Sequence, residues 1–540
     1  MTPTRSTLYT NGAIFTAARR PWAEAMLIAG DRISYVGDRA TARRIAGGHA
    51  EEVDLDGALV LPGIVEGHAH LNQTGQSLRQ LDLLTARDLG DIQQRLRHWA
   101  AEHPGAPRLE AFGWQHGTIP GGHPTKGMLD HAVADKPVYV QSRDYHSIWV
   151  NTAALAELGI DSATPNPPGG TVYRNFSSGE ATGYIDEAAV QRYVWPKMAE
   201  IETDADRDAQ IAATLASYRS HGITSTTEMG LRQADLATMV RAEAAGALTA
   251  RIVAFWVLQR ETDPAANLAQ VTHVIELASK HRSPWLRVAG IKCVIDGTIG
   301  GCTAAVSKPY ANGSIATPMW DVEALAPVVT AADAAGLQVA MHAIGDQAVR
   351  IAIESLEQAI RHNGVRPRRH RIEHLQVVDP QDINRLAALG VTASMQPVHS
   401  DPAIVADWRA MLGDERIERA HPWTEMTDAG AALAFGTDSP TAPFQPMRNI
   451  FIAATRRSAF DPSLEPNLPR YAVPLADAVR HVTAGPAWAC GAEESVGQLK
   501  AGLHADFVVL DRNIFDRPLE ELLVTRVRQT VTGGRSVFES

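Results

Sequence analysis

"LPGIVEGHAHLNQTG", residues 61–75, decides how the rest of the chain is read. Leu61, Ile64 and Val65 suit one buried strand, and His68 and His70 follow where the apolar run gives way to polar residues. Side chains alternate along a strand, so two histidines one residue apart point to the same side. Two imidazoles sharing a strand face make a bidentate start to a metal site, provided other ligands converge on them. Whether they do depends on the fold.

Downstream, short apolar runs alternate with Ala-rich helical stretches. The strand candidates after the first are "GITSTTEM", "ARIVAFWVL", "RVAGIKCVIDG", "LQVAMHAIGD", "RHRIEHLQ", "VTASMQPVH" and "ALAFGTDSP". Eight strands with helices between them predict an α/β fold, a (β/α)8 TIM barrel, over residues 61–486. About 150 residues rich in Trp, Pro and Gly separate the first two strands. A structureless loop of that length would be abnormal, so an inserted subdomain over one barrel mouth is expected, at about residues 76–215. Both chain ends are β-rich, with turn signals at Gly30-Asp31, Asp56-Gly57 and Gly533-Gly534. Residues 1–60 and 487–540 are therefore expected to assemble one small β-sandwich domain.

Bulk properties narrow the function. Of 540 residues, 45% are hydrophobic and 21% charged, an ordinary globular balance. A net charge of −11, spread along the chain, argues against a nucleic-acid partner. No run approaches the ~18 apolar residues of a membrane span. The start shows no apolar signal core, and the three cysteines (Cys293, Cys302, Cys490) form no CxxC pair. A cytoplasmic enzyme acting on a small molecule is the expectation, with a homodimer as one assembly open to it.

In a parallel barrel, chemistry gathers at the carboxyl ends of the strands. Those ends carry His68 and His70, then Lys292, His342, His374 and Asp438. Lys292 is unusual: its neighbours Ile291 and Cys293 would face the outer helices, leaving the lysine in the lumen. Burial and nearby cations favour its neutral form. A neutral amine can add carbon dioxide, and the resulting carbamate has two anionic oxygens with which to bridge two metals. Each of the six residues has an ordinary structural reading alone; their recurrence at successive strand ends predicts one or two divalent ions, zinc foremost.

At this point the chain resembles the amidohydrolase superfamily of metal-dependent hydrolases. "PGIVEGHAH" resembles its strand-one motif, "FGTDSP" its strand-eight motif, and "VGQLKAGLHADFVVLD" its return to the terminal β-domain. "GEATGYIDEAA", "IKCVIDGTIGGCTAA", "MHAIGDQAV", "RIEHLQ" and "SMQPVH" are similar to the branch that includes N-substituted formamide deformylase. The resemblance implies that His68, His70, Lys292 and Asp438 hold a more buried metal. It gives the Lys292 carbamate, His342 and His374 to a more exposed one. Relatives often carry an arginine where this chain has Cys302, which would imply a less anionic or more apolar substrate.

The expected activity is hydrolysis of a non-peptide C–N bond, in an N-substituted formamide or related small amide. Asp438 would accept a proton from metal-activated water and pass it to the leaving amine. Lactone, ester or phosphotriester hydrolysis on the same site, or a non-catalytic scaffold, are the alternatives. His146, Trp114, Gln396 and Cys302 are candidate substrate contacts. Asp346 is expected to cap the helix that follows it. Glu373 alternates with His374 and is expected to point away from the site, in a structural role.

Overall fold

The computed structural model describes residues 6–143, 145–167 and 169–540. Eight parallel strands form the barrel sheet: β1 (Ile64–Ala69), β2 (Ile223–Leu231), β3 (Arg251–Val257), β4 (Leu286–Val294), β5 (Gln338–Ala343), β6 (Arg371–His374), β7 (Thr392–Met395) and β8 (Ala432–Phe435). Each pairs in parallel with the next from β1 through β8. Their burial on both faces matches the near-continuous apolar runs in the sequence. The sheet nearly closes on itself just beyond the regular strands, where Ala69 bridges Ser439 in parallel. Asp438 N–H donates to His68 O at 2.7 Å, and His70 N–H donates to Ser439 O at 2.9 Å. Two glycines permit this approach. A Cβ at Gly67 would sit 2.4 Å from Phe435 O, and one at Gly436 would sit 2.4 Å from His68 N. The barrel seam thus runs between the residues expected to bind metal.

The opening stretch is not one strand. Leu59–Pro62 pairs antiparallel with Phe507–Leu510, and only from Ile64 does the chain join the barrel. Between them Gly63 N–H donates to Asp506 O and Ile64 N–H to Gly222 O, at 2.9 and 3.0 Å. Proline has no N–H to extend a ladder, so Pro62 sits where the chain leaves one sheet for the other. Strands from both chain ends meet in one connected eight-stranded sheet, mixed parallel and antiparallel. Tyr9, Ile28, Val60 and Phe507 belong to one of its apolar clusters; Leu8, Ala25 and Leu27 form another with Ala42 of helix Arg39–Ala46.

The described chain divides into two compact units. One runs up to His70 and adds Leu215–Ser439 and Pro443–Ser540; the other is Leu71–Thr214 with Pro440–Ala442. The second unit has its own six-stranded sheet, from Leu81–Asp82 to Gly170–Arg174, and its own core around Leu96, Trp114, Val140 and Trp149. Among the described residues no helix is long and apolar enough to cross a membrane. All three cysteines are free.

One buried ionic knot ties a barrel helix to the approach to β6. Asp333, in helix Val322–Ala334, accepts from Arg368 at 2.7 and 2.9 Å and from Asn363 at 2.8 Å, with His370 Nε2 at 3.0 Å. Burial would raise this carboxyl, but the His370, Arg368 and Asn363 bonds outweigh it and hold it well below the usual carboxylate range. Asp333→Ala is expected to cost about 3–5 kcal/mol at neutral pH, because it strands buried cationic partners. The folded-state value lies below the unfolded one. The stabilisation is therefore present above about pH 4 and lost as pH falls further. Denaturant titrations of wild type and variant should converge only in acid; a constant gap down to pH 2 would contradict this account.

Candidate metal centre

His68 lies in β1, and its ring is wholly buried. Its Nδ1 is 2.6 Å from Glu373 Oε2, whose charge is held by Arg371 through contacts of 2.6 and 3.1 Å. An ionised carboxylate can only accept, so His68 carries its proton on Nδ1 and presents the Nε2 lone pair. That lone pair faces Asp438 Oδ1 at 3.2 Å, and Nε2 has no hydrogen bond. His70 Nε2 approaches the same oxygen at 3.2 Å, while its Nδ1 lies 3.9 Å from Glu228 Oε1. His374 Nδ1 donates to Gln396 Oε1 at 2.9 Å, which turns Nε2 of that ring toward the cluster. Donor atoms of His68, His374 and Asp438 all lie within 4.8 Å of one another, and all three residues are buried. Electron-pair donors facing one another in a dry site repel unless a cation lies between them, so the donor set fits a divalent ion.

Backbone strain marks the same residues. His374 has φ 78°, Leu375 φ 50° and Asp438 φ 59°, a region that costs non-glycine residues about 1–3 kcal/mol each. Glu66 helps hold the seam in place. It lies two residues before His68 and accepts from His68 N–H at 3.1 Å, Thr437 N–H at 2.8 Å and Thr437 Oγ1 at 2.9 Å. Burial pushes its carboxyl up to about 7 against those bonds.

His342 packs against His374, ring centroids 4.4 Å apart, with Nε2 3.5 Å from Asp296 Oδ1 and 3.3 Å from Gly297 O. Lys292 is buried two residues before the end of β4. Burial lowers its ammonium from the ordinary value, against the pull of Glu373 and Asp438. His399, in the turn after β7, stacks 6.0 Å from His374 with Nε2 3.8 Å from Asp438 Oδ2.

Several expectations change. Glu373 is not turned away from the site: it holds His68. The left-handed backbone at His374 breaks the alternation from which the opposite orientation follows. Gln396, expected at the substrate, accepts the His374 proton. Asp346 does not cap its helix; the N-cap is Gly345, and the carboxylate accepts Ser307 N–H at 2.8 Å. Cys302, a candidate substrate contact, packs beside the cluster of Ile299, Ala304 and Tyr310, and burial raises its thiol. Trp114 is 1% exposed in the core of the second unit, 6.0 Å from Trp149, where packing accounts for it. His146, in the same unit, pairs with Glu187 at 2.9 Å. Glu66 and Asp296 escape a reading confined to strand-end histidines, although each keeps the parity of a neighbouring ligand, His68 or Lys292.

Glu373→Gln is expected to weaken divalent-ion affinity about 10- to 100-fold, the usual effect of losing a histidine's carboxylate partner. Competition with a chromophoric chelator measures this directly; an unchanged Kd would remove Glu373 from the role.

Comparisons with known proteins agree with this fold. The amidohydrolase family model matches residues 51–538, and the chain belongs to that family. It is 30% identical to Protein LONG AFTER FAR-RED 3 of Arabidopsis thaliana over 98% of this chain and 91% of that one. It is 25% identical to N-substituted formamide deformylase of Arthrobacter pascens over 100% and 99% of the two chains. Among solved structures, an uncharacterized metal-dependent hydrolase from Pyrococcus horikoshii OT3 superposes with a TM-score of 0.77 at 26% identity. That match covers 99% of this chain and 100% of the other.

Proposed function

We propose that the chain hydrolyses a non-peptide C–N bond in a small molecule, most readily an N-substituted formamide or related small amide. The observation that carries this reading is the convergence of His68, His374 and Asp438 on one point at the barrel seam. His68, His70, Lys292 and Asp438 would hold an inner divalent ion, and Lys292, His342 and His374 an outer one, zinc being the expected metal. Such ions, when bound, make water acidic enough to attack at neutral pH and polarise a carbonyl.

The chain's own residues supply the rest. Glu373 and Gln396 fix the tautomers of His68 and His374, so that both rings act as donors. Lys292, shifted toward its neutral amine by burial, adds carbon dioxide: the nitrogen–carbon bond forms, one proton leaves, and a two-oxygen carbamate results. Asp438 turns Oδ1 to the two histidines and Oδ2 toward His399. Ionised, it takes a proton from attacking water and returns it to the departing amine, without which an amine leaves poorly. Family membership and the likeness to the deformylase support C–N chemistry over other hydrolyses.

The test is metal analysis of purified protein with a panel of N-formyl, N-acyl, cyclic-imide, lactone and phosphotriester substrates. One to two divalent ions per chain and amide cleavage abolished by chelation are expected. Full amide turnover by metal-free protein would overturn the metal reading; brisk lactone or phosphotriester turnover without amide cleavage would overturn the substrate class.

A further inference from the structure

Arg456 is 0% exposed, yet among the described residues neither Nη1 nor Nη2 reaches a hydrogen-bond partner, a carboxylate included. It follows helix Pro446–Thr455 in left-handed backbone, φ 58°. Its Nε–H donates to Asn467 O at 2.6 Å, while Nη1 and Nη2 are buried without hydrogen-bond partners. Aromatic rings cover the guanidinium: its carbon lies 4.4 Å from the Trp423 centroid and 5.9 Å from that of Tyr471. A ring beneath the guanidinium receives the face of the cation. The N–H groups lie in its plane and point elsewhere, so stacking leaves them unsatisfied.

A second orphan shares the same tryptophan. His421 is 1% exposed, has φ 54°, and lacks a hydrogen-bond partner on either ring nitrogen. It stacks on Trp408 at 5.4 Å and lies 6.4 Å from Trp423, its backbone N–H fixed to Gln376 O at 2.9 Å. Burial and the Arg456 charge drive its imidazole well below its ordinary value, so it is neutral and offers one N–H. Buried polar groups are almost always partnered, and a buried cation needs a counter-charge. Two buried side chains beside one tryptophan, with several unused donors and no paired acid, lack one thing, a small negative charge.

We propose that Arg456 and His421 form the buried cradle of a small monovalent anion, of the size of chloride or formate. None of its residues belongs to the candidate metal cluster of His68, His374 and Asp438. It does not rest on the proposed reaction.

The test follows thermal unfolding of the whole protein, with its native metal, at fixed ionic strength. Gluconate, a bulky anion, is replaced stepwise by chloride in one series and by formate in another. Above its Kd the bound anion should raise Tm by about 1 °C per tenfold increase in concentration. The anion whose curve begins to rise at the lower concentration is the preferred one. Arg456→Met should flatten both curves. In case that variant does not fold, bromide-soaked wild-type crystals give an independent reading: an anomalous peak is expected between Arg456 and His421. Identical Tm in gluconate, chloride and formate, an unchanged anion response in a folded Arg456→Met protein, or water alone between the two side chains would overturn the proposal.

Discussion

Asp438→Asn should lower kcat by about 10²- to 10⁴-fold while changing substrate binding much less. Asparagine keeps a neutral oxygen beside His68 and His70 but cannot take up a proton. Removing the charge also relieves the opposition between buried carboxylate and apolar surroundings, so the variant should fold. Its Tm is a control. The loss should be largest for substrates whose leaving group is a poorly acidic amine, such as an N-alkyl formamide. An activated ester, whose leaving group departs without protonation, should suffer less. Parallel kcat measurements on one amide and one activated ester decide the matter: equal losses would take Asp438 out of the acid step and leave it as a ligand.

Lys292→Ala should abolish metal retention and reduce turnover by more than about 100-fold, beyond the 10- to 100-fold effects of residues that merely orient a ligand. The reasoning is electrostatic. Buried among Glu373, Asp438 and Arg371, an ammonium would repel a divalent ion, whereas a carbamate reverses the sign of charge at the same atom position. Short carboxylic acids supplied with bicarbonate should restore part of the metal content and activity of the alanine variant by placing an anion in the vacated space. Metal content and rate should recover together. A density map of active wild-type enzyme showing a plain ammonium at Lys292, remote from any metal, would exclude the carbamate.

Much of the barrel was legible because two signals coincide in it. Its strands are buried on both faces and read as apolar runs, and the polar interruptions in those runs fall near their carboxyl ends. His68, Lys292, His342, His374 and Asp438 stand out for that reason. The structure places His68, His374 and Asp438 together and sets His342 against His374. What could not be read depends on backbone conformation that residue identity does not specify. The left-handed φ at His374 brings Glu373 and His374 into the same interior, where strict alternation would separate them. The change of sheet at Pro62-Gly63 depends on a partner strand at Phe507–Leu510, more than 400 residues away in sequence. An amide serves equally well to bind a ligand or to steady a ring, and residue identity does not separate the two; the 2.9 Å approach of His374 Nδ1 shows Gln396 in the second role.

The barrel seam has a thermodynamic consequence. Its closing bonds, Asp438 N–H to His68 O and His70 N–H to Ser439 O, include the backbone of His68 and Asp438, whose side chains belong to the candidate metal site. Whatever binds there also staples the first strand to the last, and whatever loosens the staple weakens binding by the same free energy, since linkage is reciprocal. An ion held there would therefore couple its own affinity to the closure of the barrel, and a change in either would be felt by both.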